Sequence, residues 1–187
     1  MDIRSFGAAF QSEYSQRLGT GVISTGLDLG FATGDTAEYF GFLDHTNFAD
    51  PKVHNPLLAS FLFNPDFRVD QLLFRQVIGT VTNAVYFKPW VQYDLFESEK
   101  DALAGRLDIL YGRALEPAAT PGNSTSLGVE TNLKVFYEDK GLFYAGIEWA
   151  MLWPLAGLDL VPTFQDAGVS YTSRWSTSVR ARVGVQF

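Results

Sequence analysis

The sequence has no cysteine and only two histidines among its 187 residues. The first absence excludes a disulfide framework, a thiolate metal site and a cysteine nucleophile. The second leaves His45 and His54, in "LDHTNFADPKVH" with Asp44 and Asp50, as the only imidazoles. These four residues lack a spacing that metal geometry demands and read as an external polar loop, so no metal is expected. No serine stands in a nucleophile elbow, and Gly26, Gly30 and Gly34 belong to alternating sequence, not to a strand-to-helix phosphate turn. An enzyme is therefore not expected, nor is a catalytic residue or a cofactor. Positive charge is also scarce: 14 Lys and Arg stand against 21 Asp and Glu, for a net charge of −7. Without a basic cluster, nucleic acid is excluded as a partner. The chain has no apolar run long enough for a transmembrane helix, which needs about eighteen residues or more. Its opening, "MDIRSFGAAF", lacks the basic and apolar regions of a signal peptide.

What the chain does have is apolar and aromatic residues, 47% and 15% of the total, and these alternate with polar ones. In "RWSTSVRARVGVQF" (174–187) one parity carries Trp175, Val179, Ala181, Val183, Val185 and Phe187, and the other Arg174, Ser178, Arg180, Arg182 and Gln186. Period two over this length is a β-strand with two unlike faces. The same pattern recurs, which predicts strands near 3–14, 20–34, 82–97, 103–115, 125–138, 142–154 and 174–187. Residues 125–154 read as a hairpin turning at "EDKG". Pro89, which lacks a ladder donor, predicts a bulge or local edge.

Such alternation fits two opposite geometries: a soluble barrel or sandwich with its apolar face inward, or an outer-membrane barrel with that face in lipid. Three features favour the second. Bulky groups such as Phe143, Trp149, Met151 and Trp153 crowd the apolar parity, while the other mixes Gly and Ser with charges. The predicted strands match a tilted bilayer span. Aromatics gather near strand ends: Phe31, Tyr111, Trp153 and Trp175 at one level, and Tyr14, Tyr93, Tyr137, Phe143 and Phe187 at the other. Two such girdles mark the lipid interfaces. Connections also alternate, with short turns at 15–19, 97–103 and 139–141 and external loops at 35–81, 116–124 and 155–173. The expected fold is thus all-β, a single antiparallel transmembrane β-barrel domain over 1–187 in a bacterial outer membrane.

The segment "FRVDQLLFRQVIG" (67–79) breaks the pattern. Val69, Leu72, Leu73, Gln76 and Val77 fall on one face of a helix, which predicts a short helix within the long external loop, folded over or into the lumen. The alternative is an eighth strand here. Seven strands are an odd count, whereas bacterial single-chain barrels usually have an even one. Either this segment supplies the eighth, or the chain is the C-terminal part of a larger barrel.

Charges within the strands lie on the polar parity: Asp28, Lys88, Asp94, Arg106, Asp108, Glu130, Lys134, Glu148, Arg180 and Arg182. Facing lipid, Arg180 and Arg182 alone would cost roughly 4 to 8 kcal/mol near the midplane. These residues are therefore expected to line the lumen, where they either filter small polar solutes or ions by size and charge or pair into a plug. The pairs expected are Glu148 with Arg180 or Arg182, and Lys134 with Glu130. A plugged barrel would serve as a structural or binding scaffold.

The stretches "GLDLGFATGD", "FLFNPDFRVDQLLFR" and "GTVTNAVYFKPWVQYDL" are similar to a largely uncharacterised family of outer-membrane proteins from myxobacteria and relatives, of porin type. The resemblance implies a channel or pore in the lipid bilayer, in chains usually longer than this one. Terminal Phe187, with Val183 and Val185 on its parity, resembles the signal by which barrels are handed to the outer-membrane insertion machinery.

Overall fold

The computed structural model describes residues 2–35, 57–97, 101–139, 142–160 and 171–185. Its body is one antiparallel sheet of seven strands: β2 (Gly7–Leu18), β3 (Gly21–Ala32), β5 (Ala84–Glu97), β6 (Asp101–Ala114), β7 (Ser126–Asp139), β8 (Phe143–Pro154) and β9 (Ser176–Val185). Each strand pairs with the next in chain order, so the sheet is a meander with β2 and β9 at its edges. A small parallel pair, β1 (Asp2–Ile3) with β4 (Leu57–Leu58), stands apart. The sheet is not closed. Seven sequential antiparallel strands leave the two edges running in the same direction, so closure with antiparallel neighbours throughout takes an odd number of further strands.

The seven expected strands are all present. The first is displaced: pairing runs from Gly7↔Ala32 to Leu18↔Gly21, so the turn is only Gly19–Thr20, with Gly19 at φ 65°. The hydroxyls of Ser15 and Ser24, 2.8 Å apart, extend the ladder into residues expected to form the turn. Pro89 carries no register shift. It keeps its place opposite Leu27, and the pairing with β6 lapses between Phe87 and Trp90 without slipping. The shift falls at Asp94/Phe96 instead. One end of the sheet has the tight connections and the other carries 33–83, 115–125 and 155–175.

Residues 67–79, an insert between β4 and β5, form no strand. They hold a single π-helical turn, Leu73–Ile78, in which the Leu72 carbonyl accepts from both the Gln76 and Val77 N–H groups at 2.9 Å. The wider turn changes the buried face. Val69, Leu72 and Leu73 are buried as expected, but Gln76 and Val77 are exposed, and Phe74 and Ile78 take their place.

Burial across the sheet is inverted relative to a protein that buries its apolar parity. Phe10, Phe31, Phe87, Ile109, Leu133, Ile147, Val179 and Val183 are exposed, whereas Asp28, Lys88, Glu130, Asn132 and Glu148 on the other parity are buried. The apolar core lies on the polar-parity side, where Leu73, Phe74 and Ile78 of the insert pack among Tyr86, Leu110 and Leu152, which interrupt that parity. Gly112 allows this approach: a Cβ there would stand 2.7 Å from Leu73 and 3.2 Å from Phe74.

Candidate functional site

Register assembles the charged face. Gln92 pairs with Arg106, Arg106 with Lys134, Lys134 with Glu148 and Glu148 with Arg180, which sets five strands' side chains in one row. The neighbouring row holds Asp94, Ala104, Phe136, Gly146 and Arg182. Nearer the long connections Asp28 stands opposite Lys88, and Leu110 opposite Glu130. The structure thus brings all ten expected lining residues to one face. Their environments differ.

Asp28 and Lys88 form a buried ion pair at 2.8 Å, and the Lys88 ammonium also donates to the Val69 carbonyl at 3.0 Å. Arg106 bonds Asp108 on its own strand through Nε at 3.0 Å and Nη2 at 2.8 Å, and its guanidinium stacks 4.0 Å above Trp90. The Gln92 amide donates to Asp94 at 2.9 Å. Glu148 is shared by three cations, with Lys134 and Arg180 at 3.8 Å and Arg182 at 3.6 Å. Both of its expected arginine pairings are therefore met. The expected pair of Lys134 with Glu130 is not, because these side chains sit two rows apart and Glu130 is engaged elsewhere.

Glu130 is fully buried and binds the insert. Its carboxylate accepts from the N–H groups of Gln71 at 2.9 Å, Leu72 at 3.1 and 3.2 Å, and Leu73 at 2.7 Å. Asp70 accepts from Phe74 at 2.7 Å and Arg75 at 3.2 Å. Two carboxylates thereby satisfy five successive donors at the start of the helical turn, groups with no partner within the turn itself. Sequence reasoning missed Asp70, although its place just before an apolar helical run is the signal of a capping residue.

Burial, reinforced by the charge of Glu130, raises the Asp70 carboxyl from 3.8 to about 8. Because the docked value lies above the free one, docking is favoured fully below pH 4 and loses this contribution as pH rises through 8. Thermal unfolding followed by circular dichroism in detergent should show the wild type losing stability between pH 5 and pH 9, and Asp70→Asn should flatten that loss. An equal loss in both proteins would refute the assignment.

Between the insert and the charged rows lies a cavity of about 300 Å³, bordered by Arg68 and Arg75 of the insert and by Arg106, Lys134, Glu148, Arg180 and Arg182 of the sheet. Burial, and then the positive charges of Arg68, Arg180 and Arg182, lower the pKa of the Arg75 guanidinium.

On the opposite face, Tyr93, Tyr111, Trp153 and Trp175 are exposed, and Tyr137 is half-buried with its hydroxyl donating to Asp101 at 2.9 Å. Tyr111 pairs with Val129 and Val129 with Trp153, which places the two aromatics at one level across three strands. Phe187, His45 and His54 lie outside the described residues. No family model, curated protein or solved structure matches the chain.

Proposed function

We propose that this sheet is the wall of a β-barrel spanning a bacterial outer membrane, completed by an odd number of further strands, and that its charged interior passes small hydrophilic solutes. The inverted burial carries the reading. In water, continuous exposure of Phe10, Phe31, Phe87, Ile109, Ile147, Val179 and Val183 would leave an apolar surface far larger than a soluble monomer tolerates, over buried charges. In a bilayer the same arrangement puts each face in its preferred solvent. Aromatics toward both strand ends, and tight connections at one end against long ones at the other, support it.

A non-conducting barrel is the second reading, favoured by the insert that Glu130 and Lys88 fasten to the interior face. Planar-bilayer conductance separates the two. Folded, detergent-purified protein should give discrete channel steps, and their complete absence would leave the scaffold reading. In a conducting protein, Arg180→Ala with Arg182→Ala should move the reversal potential in a KCl gradient toward cation preference without altering insertion. An unmoved potential would remove these arginines from the conduction path.

A further inference from the structure

The cavity between the insert and the charged rows holds more positive charge than the described residues neutralise. Arg106 is spent on Asp108 and on the Trp90 ring. Of the remaining cations, Lys134, Arg180 and Arg182 all share Glu148, none closer than 3.6 Å. Arg68 and Arg75 have no ion pair among the described residues, although Asp70 lies beside Arg75 and holds its backbone N–H. That carboxyl is directed at the backbone N–H groups of Phe74 and Arg75. Five cations therefore converge around two carboxyl groups, Asp70 and Glu148. Arg75, Lys134 and Arg180 are partly buried and lose hydration there, while Arg68 and Arg182 stand exposed beside them, so an anion in the cavity would relieve the mutual repulsion.

We propose that Arg68 and Arg75 of the insert, with Lys134, Arg180 and Arg182 of the sheet, form a binding site for a small multivalent oxyanion such as phosphate or a di- or tricarboxylate. Guanidinium forks match the planar oxygens of such groups and bind them through paired, charge-assisted hydrogen bonds. The cavity of about 300 Å³ admits a solute of this size. Its charged lining lies on the face opposite the exposed apolar side chains, which makes the occupant a dissolved anion and not a lipid headgroup. Glu148 keeps Lys134, Arg180 and Arg182 gathered and tempers their charge, so the anion is held weakly enough to leave. The inference rests on the barrel reading only in taking this face as an interior open to solutes.

The test is calorimetric titration of inorganic phosphate into the folded, detergent-solubilised protein, with planar-bilayer conductance measured on the same preparation. Saturable phosphate binding that weakens with added salt is expected. It should fall about tenfold or more in Arg68→Gln with Arg75→Gln, and similarly in Arg180→Gln with Arg182→Gln. The insert pair lies outside the sheet, so folding of that variant can be verified by unchanged circular dichroism. Binding without channel steps would keep the site and overturn conduction. Channel steps without phosphate binding would keep conduction and overturn the site. Binding unchanged in both variants would overturn it too, and displacement of phosphate by phosphatidylglycerol micelles would overturn its assignment to a dissolved anion.

Discussion

Glu130→Ala is expected to release the insert while leaving the sheet standing. The substitution removes the acceptor for the N–H groups of Gln71, Leu72 and Leu73, all of them buried. A buried donor left without a partner costs about 1 to 3 kcal/mol, and three of them, partly relieved by entering water, put the loss near 3 to 6 kcal/mol. The ladders that hold β7 between β6 and β8 involve backbone groups that the substitution does not touch. Limited proteolysis mapped by mass spectrometry should therefore find new cleavage within 67–80, with the β-sheet circular dichroism unchanged. Glu130→Gln keeps one carbonyl oxygen but sets an NH2 group against the same donors, so it should fall between the two. In a conducting barrel the released insert would also raise single-channel conductance. An insert as resistant in Glu130→Ala as in the wild type would mean that the apolar contacts of Leu73 and Phe74 alone hold it.

The sheet was legible in the sequence because strand faces alternate with period two and each strand pairs with its neighbour in the chain. The charged face followed from the same arithmetic: once parity is set, register carries Arg106, Lys134, Glu148 and Arg180 into one row, with Gln92 beside them. What escaped was whatever crosses between the sheet and the insert. Glu130 meets its partners 57 to 59 residues away, a separation no local pattern reports. A signal did exist in the exceptions to parity. Tyr86, Leu110 and Leu152 are apolar side chains on the polar face, and they form the floor on which the insert packs. The helical face was misplaced for a physical reason as well. A turn closed by an i to i+5 hydrogen bond has more residues per turn than the 3.6 that the apolar spacing assumes, so Phe74 and Ile78 rotate in as Gln76 and Val77 rotate out.

Ile147→Arg gives opposite outcomes in the two solvents that the exposed face can meet. Ile147 lies near the middle of β8, is 60% exposed, and stands between Val135 and Ala181 on the neighbouring strands. In a soluble sheet this would be a surface substitution, worth at most about 0.5 kcal/mol either way. In a bilayer it sets a guanidinium near the midplane at a cost of about 2 to 4 kcal/mol. The expected result is the second: the refolded fraction in lipid vesicles should fall severalfold or more, read from the mobility difference between unheated and boiled samples on a gel. Glu13→Arg is the matched control, because Glu13 is exposed on the opposite parity of an edge strand and its charge already faces away from the apolar side chains. That variant should insert as the wild type does. Equal insertion of Ile147→Arg and Glu13→Arg would show that the two faces meet the same solvent, and the exposed apolar parity would then need some cover other than lipid.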